Sequence, residues 1–336
     1  MSGLRQVPGA SEETGTSWLV CEWTQAALAR LDDTLRAAIT ADDLQMRMMA
    51  LDLIGRGGKR LRPALLFLAG TFGEGKAADL QPAAAAMELL HVASLYHDDV
   101  MDRASRRRKG ASANQRWGNL GATLAGAYLF ARGSVLLATL GNSANQLASK
   151  AALDLCTGQL QEVENAFNLE QDEETYLQII ERKTATLFAT PCHLGALLSG
   201  APEEATAALA AYGRQLGLAF QLADDALDLV GDARETGKGV GTDLREGVYS
   251  LPVLFALRSS NGQATALGAL LTRAALDEAD VQQAVQLVRD SGAVAEALSL
   301  ARRYGQRAQA ALATLPDGPA RQSLQRLADY AVRRSS

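Results

Sequence analysis

From Trp18 onward this chain holds its apolar residues at helical spacing, and nowhere does it alternate apolar and polar residues long enough to build a half-buried strand. That rhythm confines the fold to packed helices. Good helix formers (Ala, Leu, Gln and Arg) fill the segments between breaks. Most of the 8 Pro residues fall where helices should start or stop, as at Pro63, Pro82, Pro202 and Pro252. Polar or Gly-bearing breaks near 55–62, 70–81, 103–119, 141–145, 168–173, 199–204, 231–249, 259–263 and 315–319 divide the chain into roughly ten to thirteen helices. None reads as an interdomain linker. The expectation is therefore a disordered tail over residues 1–17, rich in Gly, Ser, Thr and Glu, followed by a single all-α domain over 18–336, folded as one large helical bundle.

Composition removes several function classes. With 48% hydrophobic and 21% charged residues in 336, the chain has ample material for a core. A net charge of −5 argues against general nucleic-acid binding, which leaves a basic surface. Cys21, Cys156 and Cys192 are far apart and odd in number, which suits a reducing cytoplasm. The N-terminus lacks the apolar stretch of a signal peptide, and no uncharged apolar run reaches the ~20 residues of a membrane span. A soluble cytoplasmic protein is expected, with peripheral membrane contact left open.

Within LLHVASLYHDDVMD, Asp98 and Asp102 are four apart and share one helix face, with Asp99 beside them. Like charges at that spacing cost roughly 0.2–0.5 kcal/mol per pair even on an exposed helix, and more in an apolar cleft. The neighbours are Leu, Val and Met, so a cation is expected to offset the repulsion. Oxygen ligands without cysteine suit a hard ion such as Mg²⁺, which keeps water and shares phosphate oxygens. AFQLADDALDLVGD repeats the pattern with Asp224, Asp225 and Asp228, and Gln221 stands one turn earlier on the same face. One such cluster is as readily a solvated helix end. Two copies about 126 residues apart, each in an apolar helix, point to two acidic walls gripping a diphosphate through bridging metal ions.

Fixed cations should complete such a site. GGKRLRP offers a Gly-Gly turn, then Lys59, Arg60 and Arg62 around a helix start at Pro63, which can cradle a diphosphate or be a basic surface turn. Arg106, Arg107, Arg108 and Lys109 follow the first aspartate cluster closely enough to place guanidinium forks on diphosphate oxygens. Lys183, Thr184 and Lys238 are further candidates. His91 lies seven residues before Asp98 and so on its face, where a neutral imidazole can donate to diphosphate or simply be buried; His97 lies on another face, and no zinc pattern emerges.

These residues resemble the trans-polyprenyl (isoprenyl) diphosphate synthases from about residue 45 to the C-terminus. The resemblance rests on GGKRLRP, HDDVMD, the arginine pair after it, Lys183-Thr184, FQLADDALD, and GKGVGTDL ahead of SLPVL, in the family's order. It implies a bundle around a deep central cavity, a homodimer, and elongation of an allylic diphosphate by isopentenyl diphosphate. By the same resemblance Asp98, Asp102, Lys183 and Asp224 carry catalysis. Asp98, Asp99, Asp102, Asp224, Asp225 and Asp228 hold two or three Mg²⁺ ions on the allylic diphosphate. Arg107, Lys183, Thr184, Gln221 and Lys238 contact that substrate, and Lys59, Arg62, His91 and Arg108 hold isopentenyl diphosphate. Ala93 and Ser94 stand where shorter-chain members place a bulky aromatic residue. With Leu90 below them, they imply an open floor and a product of twenty carbons or longer.

Three departures touch the site: Lys109 precedes Gly110 where the family usually has the glycine first, Ala127 replaces a common Asp, and Val248 a common Lys. Two alternatives compete. A terpene cyclase or head-to-head synthase shares the aspartate motifs but needs no second basic site, and the region of Lys59 and Arg62 speaks against it. A non-catalytic regulatory subunit would not need both aspartate motifs intact.

Overall fold

The computed structural model describes residues 16–75, 77–108, 110–230, 241–259, 262–273 and 275–333. Lys109, Lys238 and residues 1–15 of the expected tail lie outside them. Among the described residues the chain forms sixteen α-helices, one π-helical turn, and a two-residue antiparallel hairpin pairing Arg106–Arg107 with Gly110–Ala111. The expected all-α bundle is observed. The helix number exceeds the expectation because several breaks, such as the one at Arg30 between α1 (Glu22–Ala29) and α2 (Leu31–Ala38), lack Pro or Gly.

Local chemistry sets the ends that position the site. The α3 helix (Leu44–Gly55) starts where the Asp43 carboxylate accepts the Met46 N–H at 2.7 Å. The loop into α4 (Leu61–Gly70) holds Gly57 at φ 73° and Arg60 at φ 46°, and a Cβ on Gly58 would stand 3.2 Å from the Arg108 guanidinium. The α5 helix (Ala77–Met101) carries Pro82 inside it rather than at its start. So early in a helix the missing N–H costs one hydrogen bond, and the fully buried Ala83–Ala86 that follow are small enough to pack closely.

The α6 helix (Ala113–Thr139) lies along α5: a Cβ on Gly133 would stand 3.2 Å from the Ala86 carbonyl. It begins six residues before the expected break ends, and the turn foreseen there survives as a kink at Gly118. Next come α7 (Asn142–Glu164), then α8 (Glu173–Ile180), the π turn Glu181–Ala185 and α9 (Thr186–Ser199) in unbroken succession, and α10 (Glu203–Val230). Then follow α11 (Thr242–Arg245), α12 (Leu251–Arg258), α13 (Gly262–Leu271), α14 (Glu278–Asp290), α15 (Ala293–Ala311) and α16 (Pro319–Arg333).

Three buried apolar clusters hold these elements together. One joins α1–α7 with α9, one joins α8 with α10–α15, and the third clamps the N-terminal segment at Trp18 against α4, α9, α10 and α16. Tyr212 is fully buried and donates its hydroxyl to the Leu324 carbonyl at 2.7 Å, tying α10 to α16.

Candidate active site

A cavity of about 810 Å³ opens where the start of α4, the lower turns of α5 and α10, the end of α7, the π turn and α16 converge. Asp102, Asp224, Asp225 and Asp228 line it, and so do Lys59, Arg62 and Lys183. Two motifs far apart in sequence, together with the basic segments, therefore face one space. Asp98 is not part of this lining but stands at its edge. Burial pushes its carboxyl up to about 6, the Lys183 ammonium opposing that shift and Asp102 adding to it.

Lys183 sits in the π turn, a rare geometry that is common at functional sites. A Cβ on Gly158 of α7 would stand 2.7 Å from the Lys183 backbone nitrogen, so only glycine lets α7 approach that turn so closely. One turn further along α7, Glu162 pairs with the Lys183 ammonium. Burial alone would lower the Lys183 pKa, but Glu162, Asp98 and Asp102 together hold it above the usual value.

The basic elements differ among themselves. Arg62 lines the cavity with its Nε buried and unpartnered; burial lowers its pKa to about 10, and its guanidinium lies 5.1 Å from the Phe188 ring centre. Lys59 is exposed, with its ammonium 5.8 Å from the Tyr330 ring on α16. Arg60 is spent on structure: it donates to Glu88 at 2.5 Å and to Asp32 at 2.9 Å. Arg108 lines the cavity while donating to the Leu53 carbonyl at 2.7 Å, which fixes the hairpin to α3. His91 also lines the cavity, with Nδ1 buried and unpartnered. Burial, then Arg62 and Arg108, keeps its pKa well below the ordinary value, so the ring is neutral. His97 instead faces α6, with Nε2 3.3 Å from the Thr123 carbonyl.

Two aspartates depart from the expected ligand sets. Asp99 has no exposed side-chain surface; its Oδ1 accepts Arg107 Nε–H at 2.7 Å and its Oδ2 accepts the Ala113 N–H at 2.9 Å. Both oxygens are thus engaged, and Asp99 is placed to orient Arg107, which lines the cavity. Asp225 is 8% exposed, and burial pushes it up to about 7. Its Oδ1 accepts from Gln221 at 2.7 Å and its Oδ2 from the Tyr176 hydroxyl, while the Thr184 hydroxyl donates to Gln221 at 2.8 Å.

The residues expected to form the chain-length floor are packed into the bundle. Ala93 is 1% exposed, packed against α6 beside Gly126, and lines neither cavity; Ser94 is buried and bonded to the His91 carbonyl at 2.8 Å. Space reappears lower down: an apolar cavity of about 300 Å³ between α6 and α7 is lined by Leu90, Phe130 and Leu153. Of the three departures, Ala127 is exposed, Val248 lines the polar cavity, and Lys109 is outside the described residues. Glu162, Tyr176 and Tyr330 line the cavity without having been expected.

A wall of carboxylates beside unpartnered cationic and imidazole donors can hold metal-bound polyanions, and its all-oxygen donors fit Mg²⁺. Among the described residues no group of three or more His, Cys, Asp or Glu is close enough to hold a metal ion alone. Oxygens of a bound ligand and water would complete any coordination.

Comparison with known proteins agrees with this arrangement. The polyprenyl synthetase family pattern matches residues 44–288. The chain is 40% identical over 311 residues to a nonaprenyl diphosphate synthase of Mycobacterium tuberculosis, covering 92% of this chain and 93% of that protein. It is 37% identical over 308 residues to a heptaprenyl diphosphate synthase component 2 of Geobacillus stearothermophilus, covering 91% of this chain and 95% of the other. The crystal structure of a Caulobacter crescentus polyprenyl synthase complexed with calcium and isoprenyl diphosphate superposes with a TM-score of 0.91 at 35% identity, covering 97% of this chain and 100% of that one. The chain belongs to the polyprenyl synthetase family.

Proposed function

We propose that this chain, one domain from Trp18 onward, is a cytoplasmic Mg²⁺-dependent prenyltransferase. It condenses isopentenyl diphosphate with an allylic diphosphate, head to tail and trans, to give a polyprenyl diphosphate of twenty carbons or more. The observation that carries this reading is one cavity lined by aspartates of both clusters, by Arg107 and Lys183, and by the separate donors Lys59, Arg62 and His91. Asp102, Asp224 and Asp228, with Asp98 at the rim, are the residues that would hold two or three Mg²⁺ ions. Mg²⁺ held by these carboxylates would supply positive charge to offset the negative charge of the departing diphosphate.

Arg107, Lys183, Thr184 and Gln221 take the allylic substrate, joined by Lys238 from outside the described residues. Lys183 and Arg107 counter the negative charge that grows as the allylic bond breaks. Lys59, Arg62, His91 and Arg108 hold isopentenyl diphosphate through its own oxygens, the neutral His91 as a donor. Its double bond then reaches the allylic carbon, and the proton lost afterwards passes to released diphosphate. Leu90 and the apolar cavity below it take the growing tail.

A second copy is the partner proposed for α6, which is long and apolar yet has only 33% of its apolar window buried. Leu124, Phe130 and Val135 of α6 are exposed, and so are Leu153 and Leu160 of α7. Purified protein with labelled isopentenyl diphosphate, an allylic primer and Mg²⁺ tests the function, with label expected in products longer than fifteen carbons. Diphosphate release without incorporation would mean cyclisation. Incorporation only after a second protein is added would mean an obligate partner, a reading favoured by the relative named component 2.

A further inference from the structure

The second aspartate cluster contains a hydrogen-bonded chain that spans three elements. The Tyr176 hydroxyl of α8 donates to Asp225 Oδ2, Gln221 Nε2 of α10 donates to Asp225 Oδ1 at 2.7 Å, and Thr184 Oγ1 of the π turn donates to Gln221 Oε1 at 2.8 Å. Tyr176 is 5% exposed and Asp225 8%. Ionised, or protonated on the Oδ2 that faces Tyr176, Asp225 keeps Oδ1 as an acceptor, so it demands the NH₂ end of the Gln221 amide. With that end fixed, the amide oxygen must face Thr184. The Thr184 proton is then committed to Gln221, so toward the cavity that it lines the hydroxyl offers only lone pairs, which suit positive charge on the allylic carbon and not diphosphate oxygens.

The geometry points to Tyr176 and Asp225 as positioning residues that act through Gln221 to fix the direction of the Thr184 hydroxyl, with Asp225 serving as the relay's anchor and not as a metal ligand. Gln221 cannot do this alone: an amide flips end for end at little cost in shape, and a partner atom that only accepts, as Asp225 Oδ1 does, distinguishes its two ends. Tyr176 supplies the second donor that keeps the Asp225 carboxylate turned toward Gln221. A chain of this kind is cooperative, so loss of its outer member should be felt at Thr184.

The inference rests on the prenyltransferase reading for its kinetic consequences, and its test separates the two. Parent, Tyr176→Phe, Asp225→Asn and the double variant are compared by steady-state turnover with isopentenyl diphosphate, an allylic diphosphate and varied Mg²⁺. Each single variant should lower kcat/KM for the allylic substrate roughly tenfold or more, the scale of a lost hydrogen bond to a charged group. The KM for isopentenyl diphosphate and the Mg²⁺ concentration for half-maximal rate should stay within about twofold, and the double variant should be no worse than the poorer single one.

A tenfold rise in the Mg²⁺ requirement of Asp225→Asn beside an unaffected Tyr176→Phe would make Asp225 a metal ligand and overturn the relay. Equal losses toward both substrates, tracking a lowered unfolding midpoint, would reduce it to a merely structural contact. A parent that incorporates no isopentenyl diphosphate would sink the functional reading instead. The relay is then judged by urea unfolding of the same four proteins, where coupled effects of the two substitutions support it and additive effects overturn it.

Discussion

Replacing Asp99 by Asn separates a ligand from an anchor in the first aspartate cluster. The Asp99 side chain has no exposed surface and its Arg107 partner keeps only 19% of its own, so water screens the pair little. Removing one member of a buried pair costs about 3–5 kcal/mol, because the remaining charge is stranded. Asn keeps one carbonyl for either Arg107 Nε or the Ala113 N–H but not both, so a loss near 3 kcal/mol is expected. Urea unfolding with unchanged m reads it, with Asp154→Asn as control. The Asp154 carboxylate meets Lys150 at 2.7 Å, but the lysine is 72% exposed, and such surface pairs contribute at most about 1 kcal/mol. The freed Arg107 should also raise the allylic KM while leaving the Mg²⁺ requirement alone. If Asp99→Asn is as stable as the parent but needs tenfold more Mg²⁺, Asp99 ligates metal and the anchoring argument fails.

Lys59→Ala and Arg62→Ala should chiefly raise the KM for isopentenyl diphosphate, since that substrate is held alike before and during reaction; equal weakening of both substrates would refute two separate sites. Asp98→Asn should nearly abolish turnover yet stabilise the metal-free protein. Because burial raises this acid from 3.8 to about 6, its cost is absent below pH ~4 and fully present above pH ~6, up to about 3 kcal/mol. A gain that grows toward low pH would contradict this sign. Leu90→Trp, in the wall of the apolar cavity proposed for the tail, should shorten the product, and Ala93→Tyr, packed against α6 and outside both cavities, should shorten it less. Product lengths unchanged in both variants would show that the tail does not follow α5.

What the sequence disclosed was local, and what it withheld was long-range. Helical spacing, the two aspartate motifs and the Gly-Gly turn each declare themselves within a few residues. Glu162 and Tyr176 carry no such motif, because their partners Lys183 and Asp225 lie 21 and 49 residues away. The hairpin at Arg106–Ala111 is too short to show alternation, although it fixes where Arg107 points. Ala93 looked like an open floor because a small side chain in sequence is silent about what packs on it, and here α6 fills that level.

The division of labour among the aspartates was nonetheless present in the helical repeat. Successive residues turn about 100° around a helix. Asp98 with Asp102, and Asp224 with Asp228, therefore share a face, while Asp99 is swung aside and Asp225, still at the cavity wall, turns toward Tyr176 and Gln221. In an apolar bundle a carboxylate swung aside is buried, and a buried carboxylate must find donors or lose its charge. Asp99 finds Arg107 and the Ala113 N–H, and Asp225 finds Tyr176 and Gln221. Arg107, Tyr176 and Gln221 all line the cavity. The second aspartate in each cluster therefore converts the burial forced on it by the helix repeat into the orientation of side chains that do reach the site.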